Sequence, residues 1–136
     1  MSKSTDALIA AAQAIRQQAY APYSNHAVGA AILDEQGAVH VGCNVENSAY
    51  PEGTCAEAGA ISAMIAAGGR RIAAIAIAGP GPHLCTPCGG CRQKIREFAA
   101  ATATIVICDD AGEQARFTLD DLLPASFGPS NLPGGS

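Results

Sequence analysis

The sequence predicts an α/β fold: three layers, α/β/α, around a five-stranded mixed sheet. Three observations carry that expectation. Residues 72–78 and 104–108 are almost unbroken apolar runs, the pattern of strands covered on both faces. Residues 28–33 and 39–44 are further apolar runs, joined by Asp34-Glu35-Gln36-Gly37, a hairpin signature. Helical segments alternate with these runs, giving the order α-β-β-α-β-α-β-β-α and helices on both faces.

The first helix is expected from about Asp6 to Ala19, with Ser4, Thr5 or Asp6 as its cap and Pro22 beyond its end. After the hairpin, a helix from Cys55 to Ala67 stops at Gly68-Gly69, which suit a left-handed cap. The strand at 72–78 leads into Gly79-Pro80-Gly81-Pro82, a rigid connector. A helix then opens at Cys88 and reaches about Ala99. The strand at 104–108 turns at Asp109-Asp110-Ala111-Gly112 into a fifth strand near 114–117. Thr118-Leu119-Asp120-Asp121 caps a last short helix that ends at Pro124. Residues 1–127 read as one domain, and 128–136, rich in Pro, Gly and Ser, as a flexible tail.

With no Trp, three Tyr and three Phe, the core must be built from Ala, Ile, Val and Leu. Small side chains let helices approach a sheet closely, and the shortage of bulky anchors points to stabilisation by oligomerisation. The net charge is −4, from 8 basic and 12 acidic residues, and the basic ones are scattered apart from Arg70-Arg71 and 92–96. A nucleic-acid partner is not expected, because phosphate binding needs a basic surplus on one face. No apolar run is long enough to span a membrane. The run 7–12 is followed by Gln13, Arg16, Gln17 and Gln18 and reads as amphipathic helix rather than signal peptide. Six cysteines without an export signal are expected to be thiols in a reducing cytoplasm.

The chemistry lies in Thr54-Cys55-Ala56-Glu57 and Pro87-Cys88-Gly89-Gly90-Cys91. Together they offer three thiolates and one carboxylate. A structural zinc site closes all four positions with protein atoms; a catalytic one stops at three and keeps a proton carrier near the open position. Cys88 and Cys91 alone could equally form a thioredoxin-like redox pair. Cys55 tips the balance to zinc, because it too sits at a helix start, where N–H groups and the dipole favour thiolate. Glu57 on its own would read as the far end of a Thr54 capping box. Beside three thiols, general acid/base work is the better reading. Cys43 and Cys108 read as small buried hydrophobes, His40 as strand surface and His83 as loop. Cys85 is set aside, since a fourth thiolate would leave no room for water. Asn44 and Glu46, two apart at a strand end, point the same way and suit a sugar hydroxyl; the plain alternative is a polar strand end.

The chain resembles the cytidine deaminases of the small, homo-oligomeric type. The resemblance runs through Tyr20-Ala-Pro-Tyr23-Ser24, 28–31, 42–47, Cys55-Ala56-Glu57, 87–93 and Leu122-Leu123-Pro124. It implies one Zn²⁺ per subunit on Cys55, Cys88 and Cys91, with attack of water on carbon 4 of cytosine. Glu57 would carry the protons, Asn44 and Glu46 would hold the sugar 3′-hydroxyl, and the Ala56 N–H would lie near the reacting centre. Phe127 resembles the aromatic that a neighbouring subunit lends to the base. The implied protein is a cytosolic enzyme of nucleoside salvage, a tetramer more readily than a dimer, with sites at subunit interfaces. Deamination of a related aminated nucleoside or antibiotic, and a non-enzymatic zinc or thiol module, are the alternatives.

Two positions depart from the family pattern. Ala58 stands where many relatives place an arginine that donates to the thiolates. Arg92 or backbone N–H groups are expected to take over that task. His26 stands where relatives usually place a phenylalanine near the base, which widens the range of cytosines to be expected.

Overall fold

Residues 3–135 are described by a computed structural model; Met1, Ser2 and Ser136, at the ends of the expected domain and tail, lie outside them. The elements are α1 (Lys3–Arg16), β1 (Gly29–Asp34), β2 (Val39–Cys43), α2 (Ala56–Ala66), β3 (Ile72–Ala78), α3 (Gly89–Phe98), β4 (Thr104–Asp109), β5 (Gly112–Thr118) and α4 (Leu119–Leu122). The sheet order is β2-β1-β3-β4-β5. Only β3 and β4 pair in parallel; the other neighbours are antiparallel. The mixed five-stranded sheet matches expectation.

Side-chain alternation sorts the strands into two unlike faces. Ile32, Ile75, Ile77, Ile105 and Ile107 pack with residues of α2 and α3 in the larger core cluster. Ala31, Ala76, Ala78 and Val106 face the other way and meet Leu8, Ile9 and Ala12 of α1. Bulk therefore lies under two helices on one face, and small residues under the single helix on the other. Two glycines take this to its limit. A β-carbon on Gly29 would fall 2.3 Å from the Ala12 oxygen, and one on Gly42 would fall 2.3 Å from the Ala60 nitrogen. Helix α1 thus rests directly on β1, and α2 directly on β2.

Three expectations need correcting. Helix α1 contains Ser4, Thr5 and Asp6 instead of being capped by them, and it ends at Arg16. The chain continues to Ala19 with i→i−3 bonds, Gln17 to Ala14, Gln18 to Ile15 and Ala19 to Arg16, so the predicted last turn is a tighter one. Thr54 does not cap α2: it pairs through N–H and C=O with Val45, and Cys55 occupies the cap position. His40 is not strand surface. Its side chain is 10 % exposed, and Nε2 lies 2.7 Å from Oδ2 of the buried Asp34. The other Asp34 oxygen accepts the Gln36 and Ala38 N–H groups and closes the hairpin.

Candidate metal centre and active site

Two helix starts meet at one point. Cys55 is the N-cap of α2 and Cys88 the N-cap of α3, both with extended backbone, and Cys91 lies in the first turn of α3. Their sulfur atoms lie within 4.8 Å of one another, and no other such group of His, Cys, Asp or Glu occurs among the described residues. Cys55 and Cys88 are exposed, while Cys91 is buried. Three soft donors in one tight triangle fit zinc, and leave one position of a tetrahedron unfilled by protein. Two helix N-termini aimed at the triangle help hold its negative charge. The Cys91 N–H, bonded toward Cys88, lowers the Cys88 thiol pKa. Burial raises that of Cys55 and Cys91, so without a cation these two favour the thiol.

Glu57 sits on the first turn of α2 beside the triangle and is 4 % exposed. Burial raises its pKa, opposed by its own backbone N–H, by the Cys91 thiol and by the charge of Lys94. With Thr54 paired to Val45 instead of capping α2, Glu57 is a buried carboxyl whose raised pKa favours the protonated form. Ala56, between Cys55 and Glu57, is 1 % exposed and starts α2, where helix N–H groups have no intrahelical acceptor.

Asn44 and Glu46 both grip the 23–28 loop. The Asn44 side chain accepts from the Val28 N–H at 2.9 Å and donates to the His26 carbonyl at 2.9 Å. Glu46 accepts from the Tyr23 and Ser24 N–H groups and from the Ser24 hydroxyl. Beside them lies a cavity of about 390 Å³ lined by Tyr23, Ser24, Glu46, Asn47, Tyr50 and Gly53. His26 is exposed, with Nε2 3.6 Å from the Cys85 sulfur. Cys85 stays outside the sulfur triangle, and burial pushes its thiol up to about 11. Phe127 is 57 % exposed.

Arg92 does not serve as a donor to the thiolates. Its guanidinium bonds go to oxygen: Pro87 C=O at 2.6 Å, Leu122 C=O at 2.8 Å and Thr86 Oγ1 at 3.3 Å. Of the two replacements expected for the family arginine, the backbone N–H of Cys91 is the one found near sulfur. Lys94 was missed in the sequence, where a cation one turn past Cys91 was the available signal; Cys85, set aside as a ligand, does lie outside the triangle.

Comparison with known proteins agrees with this geometry. The family model described as "Cytidine and deoxycytidylate deaminase zinc-binding region" matches residues 2–108. A cytidine deaminase of Sporosarcina psychrophila is 39% identical over 125 residues, 92% of each chain. One from Mycobacterium tuberculosis is 42% identical over 115 residues, covering 85% of this chain and 83% of that one. The crystal structure of cytidine deaminase from Burkholderia pseudomallei superposes with a TM-score of 0.85 at 43% identity, covering 93% of this chain and 100% of that one. A match over most of the length, with the sulfur triangle in place, makes this chain a member of the cytidine and deoxycytidylate deaminase family.

Proposed function

We propose that the protein hydrolyses cytidine and deoxycytidine to uridine and deoxyuridine with release of ammonia, as a step of pyrimidine salvage. The supporting observation is the buried Glu57 carboxyl beside the triangle of Cys55, Cys88 and Cys91. Cys55, Cys88 and Cys91 would hold zinc, which would supply Lewis-acid chemistry at the open position. Glu57 accepts a proton of the attacking water and passes it to the ring nitrogen next to carbon 4. The water oxygen bonds to carbon 4. Glu57 then relays the remaining hydroxyl proton to the amino group, whose bond to carbon breaks as ammonia leaves. The Ala56 N–H, at the start of α2, would steady the base.

A nucleoside fits better than a deoxycytidylate. The cavity next to Asn44 carries the Glu46 carboxylate and no Lys or Arg among its lining residues, so a 5′-phosphate would meet no cation there. Asn44 keeps its second amide hydrogen, and Glu46 an oxygen lone pair, for a sugar hydroxyl. His26, polar at its edge, admits cytosines with small polar substituents.

The working form is a homo-oligomer, a tetramer, in the cytoplasm. Tyr20, Tyr23, Val45 and Tyr50 are 55%, 52%, 49% and 77% exposed, and Phe127 is exposed too. So many bare apolar residues near an open site suit coverage by a second copy lending Phe127. No helix among the described residues is long and apolar enough to cross a membrane.

Ammonia release from cytidine, deoxycytidine and deoxycytidylate at equal concentration tests the substrate. Turnover of both nucleosides and little of the nucleotide is expected; preference for the nucleotide, or no release, would refute it.

A further inference from the structure

We infer that Arg92 is a positioning residue that sets the loop delivering Cys88 and the segment leading to Phe127 as one unit. The inference rests on the zinc reading above. It goes beyond it by joining the metal centre to the C-terminal segment.

The guanidinium reaches both sides at once. Its Nε–H donates at 2.6 Å to the carbonyl of Pro87, the residue immediately before Cys88, and Nη2 reaches Thr86 Oγ1. The Pro87 carbonyl belongs to the peptide that ends at the Cys88 nitrogen, so holding it fixes how Cys88 enters α3. On the other side Nη1 donates at 2.8 Å to the carbonyl of Leu122, the last residue of α4. That carbonyl is one of those a helix leaves unpaired at its C-terminus. Two further side chains of α3 continue the grip: Gln93 Nε2 on the Phe127 carbonyl and Arg96 Nε on Ser126 Oγ, both at 2.9 Å. Neither of those two bonds reaches the ligand loop. Among the described residues Arg92 is the side chain whose hydrogen bonds span the two, and a planar fork of donors at fixed angles transmits position as well as charge.

Coupling of this kind is reciprocal. A metal that fixes Cys88 and Cys91 steadies Pro87, and through Arg92 steadies 122–127. Loss of the Leu122 contact in turn loosens the loop and the ligand on it. Ala58 offers no donor to sulfur, and Arg92 holds the ligand loop through oxygen without touching sulfur.

The test uses the zinc-loaded protein and four variants. Zinc loss to a chromogenic chelator and hydrogen exchange of residues 86–91 and 119–127 are followed together, with KM and kcat on cytidine. Arg92→Ala is expected to weaken zinc retention about tenfold or more. It should raise exchange in both segments, and raise KM more than it lowers kcat. Arg92→Lys, which can meet one carbonyl but not both, should fall between. Gln93→Ala with Arg96→Ala should raise exchange at 119–127 only and leave zinc retention as in the wild type. Val106→Ala, on the far face of the sheet, should melt earlier without losing zinc faster. Unchanged zinc retention in Arg92→Ala, or exchange rising in one segment alone, overturns the proposal. If Arg92→Ala does not fold, a Lys variant identical to the wild type in both readouts overturns it instead. Joint effects on zinc and exchange without cytidine turnover would sink the substrate assignment and leave Arg92's role standing. A wild-type chain that takes up no zinc overturns both.

Discussion

Gly42 and Ala60 meet backbone against backbone: a β-carbon on Gly42 would lie 2.3 Å from the Ala60 nitrogen and 2.6 Å from the Ala56 oxygen. Strand β2 thereby sets the height of the first turns of α2, and with it Cys55 and Glu57. No flexible side chain is available to yield. Gly42→Ala is expected to destabilise the fold by about 1–3 kcal/mol, the range for overpacking. It should also lower zinc content and cytidine turnover together. Denaturant midpoints and metal analysis check this; a variant with wild-type midpoint and zinc would contradict it.

Glu57→Gln keeps shape and burial but removes the proposed proton carrier. Turnover should fall by about 10²–10⁴-fold, the usual weight of general acid/base catalysis, with zinc retained. Burial raises the Glu57 pKa in the folded state, so at neutral pH the ionised carboxylate opposes folding. Compared without metal, the Gln variant should therefore melt no lower than the wild type. Loss of zinc from this variant would mean that Glu57 acts as a ligand.

Chelation should abolish activity and lower the melting temperature, and zinc should restore both. Cys91→Ser should bind zinc more weakly. Cys108→Ala, which alters a buried thiol of the opposite core cluster, should keep full zinc content while losing some stability. Equal metal loss in the two variants would contradict the assignment of ligands.

Asp34 and His40 give a pH-dependent element far from the chemistry. The His40 hydrogen bond, with N–H groups of Ala38 and Gln36, holds the Asp34 carboxyl below its ordinary value of 3.8. A depressed folded-state pKa means stability that is present above about pH 4 and is lost as the pH falls. Asp34→Asn should melt below the wild type at pH 7, with the gap closing as the pH falls below about 4. Melting curves across that range decide it, and a gap constant with pH would rule the pair out.

Much of the fold was written in local pattern. A continuous run of Ile and Ala marked β3, which runs over 72–78 as predicted, because a strand covered on both faces takes apolar residues on both sides. Gly68, with φ of 96°, ends α2 where the left-handed cap was expected. Thr118 and Asp121 form the predicted capping box of α4. The sulfur triangle was legible because cysteine spacing and helix starts are both local signals. What the sequence hid depends on distant partners. Thr54 had a sound capping-box pattern, but its backbone is taken by Val45, nine residues earlier, which moves the cap to Cys55. His40 looked like strand surface because nothing nearby reveals that α2 ends over Asp34. The oxygen partners of Arg92 include Leu122, thirty residues away, and no spacing rule links them.

X-ray absorption at the zinc edge on reduced, purified protein tests the central claim most directly. The account predicts three sulfur neighbours at about 2.3 Å and one lighter atom, an oxygen or nitrogen. Four sulfurs, or fully active protein with no zinc signal, would contradict it.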